Sequence, residues 1–403
     1  MQILVLNGGS SSIKFSIFNA DESSPSAEPA LILDGEVSEV GSSHATLSLQ
    51  VSKKADKTKT EVSASSTEQA LSIIFGAIST RNEIDIQAVG YRVVHPGAKL
   101  HGHQRITESV LRDIEEASAF APLHNPEAVA MIRSGMQHFP HVAHYACFDT
   151  VFHQTMPVEA TTYALPSEWR ASGVRRYGFH GLSCEWIVRQ MKDAQGHVPK
   201  RMIIAHLGSG CSITAVADGH SIDTTMGFTP TGGVVMGTRP GDLDASILLY
   251  LLRQQNQDPK SAASAIESSI NHKSGMVALS GLPNDMRAIR KAASEGNKDA
   301  LLAIKVFVRS VTKAIGSYSW LLGGVDAVVF TGGIGEHDAD TRAEVMANLS
   351  ELGLTIDRVK NRSITKGKYE ISEEDSRTKI FVVPVQEDCM IAMHVVRMHQ
   401  SSN

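Results

Sequence analysis

The chain opens with Met1-Gln-Ile-Leu-Val-Leu-Asn7-Gly-Gly-Ser10-Ser-Ser12-Ile-Lys14-Phe-Ser-Ile17, and this stretch decides the predicted fold. An unbroken apolar run precedes the glycines and apolar residues at every second position follow them, so the pattern predicts two strands joined by a glycine-rich turn. The N–H groups and serine hydroxyls of such a turn can cradle phosphate oxygens, although a surface hairpin without a ligand has the same pattern. A strand follows the turn and the GxxxxGK[ST] spacing is missing, so a P-loop is not predicted.

The same order of elements recurs later in the chain. Residues 202–206 predict a strand, residues 207–211 a glycine turn and residues 212–216 a second strand. A weaker relative is the apolar segment 327–330, which is followed by Thr-Gly-Gly-Ile-Gly at residues 331–335. Helical patterns lie between these segments. We therefore expect an α/β protein with two similar halves, each directing a backbone loop into one cleft.

The bulk composition bounds the domain count and excludes several classes of partner. A chain of 403 residues is too long for one compact core, so two domains are expected. The net charge of −5 argues against a nucleic-acid or anionic-membrane partner. No apolar run approaches the roughly 18 residues that span a bilayer, and the N-terminus has no leader-like pattern. The four scattered cysteines form no CxxC pair, which is typical of reduced thiols, so we expect a cytoplasmic location.

Four polar residues occupy positions that suit chemistry on an anion. Arg92 and Arg239 lie in Gly-Tyr-Arg-Val-Val-His and Met-Gly-Thr-Arg-Pro-Gly-Asp, and the arginine fork pairs with carboxylate or phosphate through two hydrogen bonds. Asp149 closes a short apolar strand, and His180 lies between an aromatic residue and a glycine. For each residue alone a structural role is the simpler interpretation, such as an ion pair of Arg239 with a nearby aspartate.

Eight motifs carry a family resemblance, and they are, in chain order, LNGGSSSIKFSIF, RVVHPG, APLHNP, FDTVFH, RRYGFHG, HLGSGCSI, GTRPGDLD and FTGGIGE. They resemble the acetate kinases of the acetate and sugar kinase/Hsp70/actin superfamily over essentially the whole chain. The resemblance implies an α/β fold of two ribonuclease-H-like (actin-like ATPase) domains with an interdomain active-site cleft. One domain would comprise residues 1–150 with 388–403, and the nucleotide-binding domain residues 151–387. The resemblance also implies a homodimer that uses ATP and Mg²⁺, or Mn²⁺, to phosphorylate acetate.

The resemblance further implies roles for individual residues. Arg92 would bind the acetate carboxylate, Asp149 would be an acid/base or polarising group, and His180 and Arg239 would stabilise the transition state. The implied metal ligands, directly or through water, are Asn7 and Glu387. The residues implied to surround the acetate methyl are Val94, Leu123, Phe179 and Pro230. The residues implied to bind the nucleotide are Lys14, Ser10, Ser12, His206, Leu207, Gly208, Ser209, Gly210, Asp285, Met286, Arg287, Gly333, Ile334, Gly335, Glu336 and His337.

Several positions depart from the usual family motifs. Ser209 stands where asparagine is usual, which removes an amide donor near the phosphates, and His337 also replaces an asparagine. The other departures are Tyr91, Pro96, Thr231, Gly232 and the run Gln386-Glu387-Asp388. They affect the expected nucleotide contacts and the surroundings of the metal, and they leave the four catalytic candidates unchanged.

The chemistry of a carboxyl acceptor explains why such a site would be rich in cations. A carboxylic acid that titrates near pH 4 to 5 is already ionised at neutral pH, so it needs no base to activate it. The barrier comes from repulsion between two anions and from charge on the moving phosphoryl group, so catalysis should depend on positioning and electrostatic stabilisation. We therefore expect Asp149 to orient an arginine or a metal-bound water and not to accept a proton.

Other functions remain open at this point. Within enzymes, the chain could be a propionate or other short-chain acyl kinase, or a variant that uses pyrophosphate. From a different class, the same superfamily includes Hsp70- and actin-like ATP-driven binding proteins, which would show no carboxylate-dependent turnover. A sugar kinase would need a carboxylate base next to a hydroxyl and a larger polar pocket.

Overall fold

The computed structural model describes residues 1–9, 12–51, 56–121, 124–195, 197–255, 258–364 and 367–401. The chain forms two compact units. Unit 1 comprises Met1–Val151 and Gln386–Asn403, and unit 2 comprises Phe152–Val385. Helices and strands are numbered in chain order.

Unit 1 is built on one mixed sheet with helices on its faces. Its strands are β1 Gln2–Gly8, β2 Ser12–Asn19, β3 Ala30–Ser38, β4 Thr46–Val51, β5 Thr58–Glu61, β6 Ala88–Val93, β7 Gln104–Arg105 and β8 Ala143–Phe148. Its helices are α1 Thr67–Ser79, α2 Glu108–Glu116, α3 Asn125–His138 and the C-terminal α15 Glu387–Ser401. Within the described residues the strand order is β5-β4-β3-β2-β1-β6-β8-β7. Strands β1 to β5 pair antiparallel in sequence, whereas β1, β6 and β8 run parallel.

The C-terminal helix packs directly on the sheet of unit 1. Side chains of Ile391 and Val395 on α15 would lie 2.8 Å from a Cβ at Gly90 of β6, so only glycine fits at that point of the strand. Leu4 and Leu6 of β1 belong to the hydrophobic core that α1 and α3 help to cover. The end of the chain therefore returns to the sheet that its beginning forms.

Unit 2 contains the second sheet and most of the helices. Its strands are β9 Arg201–Leu207, β10 Cys211–Ala217, β11 His220–Thr224, β12 Ala327–Thr331, β13 Tyr369–Glu370 and β14 Lys379–Val382. Its helices are α4 Val158–Thr161, α5 Ser167–Ala171, α6 Gly181–Gln195, α7 Ala245–Gln254, α8 Pro259–His272, α9 Gly275–Ser280, α10 Met286–Ser294, α11 Lys298–Leu321, α12 Gly332–His337, α13 Ala339–Ala347 and α14 Arg358–Arg362. Within the described residues the strand order is β11-β10-β9-β12-β14-β13.

The two sheets share one topology, which is what the repeated strand–glycine–strand pattern predicted. In each sheet a run of antiparallel strands, β1 to β3 or β9 to β11, continues into parallel strands on the other side of the first one. The parallel partners are β6 and β8 in unit 1, and β12 and β14 in unit 2. The expectation of two similar α/β halves is confirmed at this level.

Element boundaries differ from the predicted ones in a few places. The sequence at residues 379–385 predicts a strand, and that strand ends at Val382. The helical pattern over residues 107–121 is divided in the structure into α2 and a 3₁₀ turn at Ala117–Ala119. The third glycine segment forms the short helix α12, whereas each of the two earlier glycine segments lies between two antiparallel strands. Glycines at positions 332, 333 and 335 did not prevent a helix, because tertiary packing can override a weak local propensity.

Two expectations from composition can be compared directly with the structure. All four cysteines are buried, and none of them forms a disulfide bond. Among the described residues, no helix has both the length and the apolar character needed to cross a bilayer.

Candidate active site

Arg92 and Asp149 form a buried ion pair in unit 1. Strands β6 and β8 are parallel neighbours with Val93 opposite Phe148, so the residues at their carboxyl ends lie side by side. Nε and Nη2 of Arg92 donate to the two carboxylate oxygens of Asp149 at 3.1 and 2.5 Å. Asp149 is 1% exposed and Arg92 18%, so water screens this bidentate pair little.

The start of α15 adds two acidic residues, Glu387 and Asp388, to the Arg92–Asp149 pair. Together with Asn7, these four residues are called the ion cluster below. Nε of Arg92 lies 3.6 Å from Glu387, and Nη1 donates to Asn7 at 3.4 Å. Asn7 in turn donates through Nδ2 to Asp388 at 3.0 Å, and the hydroxyl of Ser16 donates to the other oxygen of Asp388 at 2.7 Å. The orientation of the Asn7 carboxamide is therefore held from both ends.

Charge and burial compete in this ion cluster. Burial opposes the positive charge on Arg92, but the adjacent Asp149 and Glu387 outweigh it and raise the pKa of the guanidinium above its ordinary value. Burial raises the pKa of the Asp388 carboxyl, while hydrogen bonds from Asn7 and Ser16 lower it. Arg92 therefore stays charged throughout the pH range in which enzymes are assayed.

The donor atoms of the ion cluster fit a hard divalent cation. Oxygens of Asn7 and Glu387 both lie next to the Arg92 guanidinium. Carboxylate and amide oxygens are the ligands that Mg²⁺ and Mn²⁺ take in proteins. The carboxylates of Asp149, Glu387 and Asp388 outnumber the cationic groups of Arg92 and Lys14, which leaves negative charge for a cation to balance.

The first glycine turn lies next to this ion cluster. The N–H of Gly9 donates to the carbonyl of Ser12 at 2.8 Å and closes the turn between β1 and β2. Lys14 is exposed and lies opposite Asn7 in the antiparallel register, so its ammonium group is available to an anion. Ser10, a predicted phosphate contact, lies outside the described residues.

His180 adopts a strained backbone conformation in unit 2. Its φ of 59° is in the left-handed region, which non-glycine residues rarely occupy, and such strain is common at functional sites. Its Nδ1 is 3.0 Å from Ser212 Oγ, and its ring stacks on His206 at a centroid distance of 4.0 Å. Its Nε2 would lie 3.3 Å from a Cβ on Gly210, so the imidazole faces the turn between β9 and β10.

Two loops of unit 2 are joined to each other through their backbones. The loop of residues 208–210 connects β9 to β10, and the loop of residues 236–239 carries Arg239. Gly237 N–H donates to Ser209 O at 3.0 Å, and Met236 N–H donates to Arg239 O at 3.0 Å, which closes the second loop into a turn. The Arg239 guanidinium donates through Nη1 to Pro230 O at 3.1 Å.

The aspartates close to Arg239 in sequence have backbone partners. Asp242 accepts a hydrogen bond from the N–H of Gly233 at 2.7 Å, and Asp244 accepts one from Ser246 at the start of α7 at 2.8 Å. Burial raises the pKa of the Cys211 thiol to about 12, although the nearby Arg239 lowers it.

A cavity of about 620 Å³ in unit 2 has the volume of a small-molecule site. Its lining residues are Gly208, Ser209, Asn284, Asp285, Met286, Arg287, Arg290, Gly333, Ile334, His337 and Asp338. A Cβ on Gly333 would meet nothing within 4 Å, so this wall is open to a ligand. Two walls of the cavity are tied together, because Arg290 on α10 pairs with Asp338 at 2.6 Å.

The structure brings together eight of the residues predicted to bind the nucleotide. Those that line the cavity are Gly208, Ser209, Asp285, Met286, Arg287, Gly333, Ile334 and His337. Among the described residues, the lining does not include His206, Leu207, Gly210, Gly335 or Glu336. Glu336 instead accepts hydrogen bonds from the N–H groups of Gly332 at 2.9 Å and Val385 at 3.0 Å, so it braces the start of α12.

The residues predicted to surround a methyl group are distributed over both units. Val94 is buried in unit 1, directly after β6. In unit 2, Phe179 is 1% exposed and Pro230 is buried. Leu123, the fourth member of the set, lies outside the described residues.

The sequence did not single out several residues that the structure places in these sites. Asn284, Arg290 and Asp338 line the cavity. Asp388, which the sequence marked only as a departure from the usual motif, accepts hydrogen bonds from Asn7 and from Ser16. Some of these residues are sequence neighbours of predicted site residues, and this could have identified them. Asn284 precedes Asp285, Asp338 follows His337 and Asp388 follows Glu387. No sequence pattern marks Ser16, which is the middle of an ordinary strand.

Comparison with known proteins decides the family. Residues 2–393 match the acetokinase family. The chain belongs to the acetokinase family. It is 39% identical over 412 residues to the acetate kinase of Halothermothrix orenii, with 100% of both chains covered. It is 40% identical over 404 residues to the acetate kinase of Geobacillus kaustophilus, covering 98% of this chain and 99% of that one.

Solved structures of similar proteins have the same fold as this acetokinase-family member. An acetate kinase from Porphyromonas gingivalis is 33% identical with a TM-score of 0.85, and 99% of each chain is covered. A propionate kinase from Francisella tularensis is 36% identical with a TM-score of 0.88, covering 97% of this chain and 98% of that one. The predicted fold class, α/β with two domains of the actin-like ATPase type, is confirmed.

Proposed function

We propose that this protein is a kinase that transfers the γ-phosphoryl group of ATP reversibly to acetate, giving acetyl phosphate and ADP. The observation that carries this proposal is the family match over residues 2–393, together with relatives named acetate kinase that align over nearly the whole chain. The matched positions include each of the four catalytic candidates.

The cavity in unit 2 supports the nucleotide part of the proposal. In this assignment residues 206–210 would contact the phosphates, residues 285–287 would reach the adenosine, and residues 333–337 would complete the site. A volume of about 620 Å³ suits a ligand of this size, and loops with exposed N–H groups suit its phosphates. We also propose that residues 151–387 are the nucleotide-binding domain, and that residues 1–150 with 388–403 are the other domain.

The Arg92–Asp149 pair supports the role proposed for each of these residues. Asp149 accepts from Nε and Nη2 of Arg92, and Asn7 accepts from Nη1. The guanidinium has five N–H donors, so Nη1 and Nη2 each keep one N–H for a substrate carboxylate. In this mechanism Asp149 holds the fork in one orientation, and Arg92 binds the already ionised acetate. Fixed donors need no reorganisation during the reaction, and this is how such sites stabilise developing charge.

His180 and Arg239 would act on the phosphoryl group itself. The backbone at His180 is held in an uncommon conformation, and its imidazole faces Gly210. The loop that carries Arg239 is bonded to Ser209. Cations beside the equatorial oxygens of a transferring phosphoryl group lower the barrier because they neutralise its spreading charge.

Asn7 and Glu387 would hold Mg²⁺, or Mn²⁺, directly or through water. When bound, the ion would neutralise charge on the nucleotide phosphates. Asp388 and Ser16 fix the Asn7 amide, so the Oδ1 atom keeps one direction. Lys14, opposite Asn7 on the next strand, would add a point charge for the phosphates.

Trapping the acyl phosphate with hydroxylamine tests the proposed reaction. We expect acetohydroxamate when the protein is incubated with ATP, Mg²⁺, acetate and hydroxylamine, and none when acetate or ATP is omitted. Replacement of ATP by pyrophosphate in the same assay tests the pyrophosphate-dependent alternative. Product with pyrophosphate and none with ATP would contradict the proposal.

A second candidate, a propionate or other short-chain acyl kinase, is favoured by the structural likeness to a propionate kinase. Val94 and Phe179 are bulky residues, so we expect a site that fits a methyl group better than an ethyl group. One methylene changes discrimination by about 1–3 kcal/mol, so kcat/KM for propionate should be about tenfold below that for acetate. A substrate series from acetate to butyrate measures this, and a larger kcat/KM for propionate would favour the second candidate.

A homodimer is also part of the proposal, and helix α7 supports it. This helix has no buried residue, although its sequence is Ala-Ser-Ile-Leu-Leu-Tyr-Leu-Leu-Arg-Gln. Leu249 is 53% exposed and Tyr250 61%. A short helix with large exposed apolar side chains is typical of an interface, because the exposure of these side chains to water is unfavourable and a partner would remove it. A second copy presenting the same helix would bury both surfaces through a two-fold contact.

Charge on α7 should break the dimer. In the double variant Leu249→Asp and Tyr250→Asp, two carboxylates would have to be desolvated at the interface, so we expect a monomer by size-exclusion chromatography with light scattering. Val359→Asp is the matched control, because Val359 is 77% exposed but lies on α14, and this variant should keep twice the chain mass. A wild-type monomer, or a dimer that survives both α7 substitutions, would contradict this interface.

The location that we propose is the cytoplasm. The four buried thiols support it, because a reducing compartment maintains cysteines in this state.

A further inference from the structure

The side chain of Asn284 contacts both loops that join the cavity to Arg239. Its Nδ2 donates to Ser209 Oγ at 2.8 Å. A Cβ on Gly237 would lie 2.1 Å from its Oδ1 and 2.7 Å from its Nδ2. The carboxamide of Asn284 therefore occupies the space that a side chain at residue 237 would need.

These contacts fall on the junction where the two loops are already bonded. The N–H of Gly237 donates to the carbonyl of Ser209, so Ser209 receives one bond from each partner, one on its backbone and one on its hydroxyl. Residues 236–239 form a closed turn, so a movement of Gly237 changes the position of Arg239. Asn284 itself is held in place because the next residue, Asp285, caps α10 through a 2.9 Å bond to the N–H of Arg287.

We propose that Asn284 is a positioning residue for phosphoryl transfer, which locks the loop of residues 208–210 to the loop that carries Arg239. This inference rests on the proposed function. In the proposed mechanism Arg239 touches the transferring group, and Asn284 acts through it.

Removal of the Asn284 carboxamide should lower turnover more than nucleotide affinity. The loss of one hydrogen bond between these exposed side chains corresponds to about a fivefold change, so we expect Asn284→Ala to lower kcat about fivefold. The Kd for ADP, measured by titration calorimetry, should stay within about twofold, because the phosphate-facing N–H groups remain. An unchanged kcat would overturn the inference. If the Kd for ADP rose fivefold at an unchanged kcat, Asn284 would be a simple nucleotide contact.

A second variant tests the same contact from the opposite side. The backbone of Gly237 is not in a left-handed conformation, so Gly237→Ala should fold, and its new methyl group should displace the Asn284 carboxamide. We expect this variant to reproduce the kcat of Asn284→Ala, and the double variant to be no slower than the slower single one. If the double variant lowered kcat by the product of the two single-variant factors, the inference would be overturned.

The controls separate this inference from the proposed reaction. Lys291→Ala removes an exposed side chain from the same helix α10 and should leave kcat and Kd unchanged. Thermal denaturation of every variant checks that a lower kcat does not reflect unfolding. If the wild-type protein forms no acetohydroxamate, the proposed function and this inference both fail. If the wild-type protein is active and the kcat values of Asn284→Ala and Gly237→Ala equal the wild-type value, this inference alone is wrong.

Discussion

Arg239→Ala should lower kcat about 10³-fold or more while leaving the protein folded. Arg239 donates to the carbonyl of Pro230, and backbone bonds from Met236 and Gly237 hold its loop, so the side chain can be removed without dismantling the turn. The large effect is expected because the proposed mechanism needs a cation on the phosphoryl group as its charge spreads. The measurement is steady-state kinetics of acetohydroxamate formation, with circular dichroism to confirm the fold.

Two further variants define what the Arg239 result means. Arg239→Lys keeps the charge but loses the planar fork, so it should recover only part of the lost kcat. Arg362→Ala is the matched control in the same unit, because Arg362 is 74% exposed and pairs with Asp340 at the surface at 3.1 Å. Such surface pairs contribute little, so this variant should retain normal turnover. Near-normal kcat in Arg239→Ala would mean that its role has been misassigned.

Asp149→Ala should destabilise the protein by about 3 kcal/mol and also reduce kcat strongly. The substitution leaves the Arg92 guanidinium in a largely buried position without its bidentate partner, with Glu387 at 3.6 Å as a weaker one. Urea denaturation measures the loss of stability. The comparison is Asp113→Asn, which removes one carboxylate partner of exposed Lys99 and leaves Glu116 as another, so it should cost less than about 1 kcal/mol.

The pH profile of kcat distinguishes the two possible roles of Asp149. If Asp149 orients Arg92, Asp149→Asn should lower kcat at every pH without removing a limb of the profile. Because neighbouring carboxylates raise the pKa of Arg92 above its ordinary value, the arginine stays protonated across the assay and contributes no limb either. The disappearance of one limb in Asp149→Asn alone would show that Asp149 accepts a proton in the reaction.

Much of the fold could be predicted because it depends on neighbours in sequence. The alternation of apolar residues after Asn7, and again after residue 211, predicted the hairpins that β1 with β2 and β9 with β10 form. Helix starts were equally local, as at Ser66, whose side chain accepts from the N–H of Gln69 at 3.3 Å. The segment at residues 331–335 was predicted as a loop after a strand, but residues 332–337 form helix α12. Glycine content alone does not determine the conformation that packing against Leu207 imposes.

The candidate site was predictable as a set of residue types but not as an arrangement. Resemblance to a family selected Arg92, Asp149, His180 and Arg239, and their roles stay predictions that the variants above test. The sequence did not indicate that Asn284 contacts both loops, because an isolated asparagine before a helix is an ordinary feature of a turn. It also did not indicate the left-handed backbone at His180, since that conformation follows from packing and not from the histidine itself.

By itself, the sequence determined the strand–glycine–strand hairpins and the individual motifs, because each of these depends on residues within a few positions of one another. Only the tertiary structure decided which distant side chains meet. Arg92 and Asp149 are 57 residues apart, and Asn7 and Asp388 are 381 apart. The parallel register of β6 with β8 pairs the first two, and the packing of α15 on the first sheet pairs the second two. Strand order and helix packing are properties of the whole core, so no local pattern in the chain encodes these contacts.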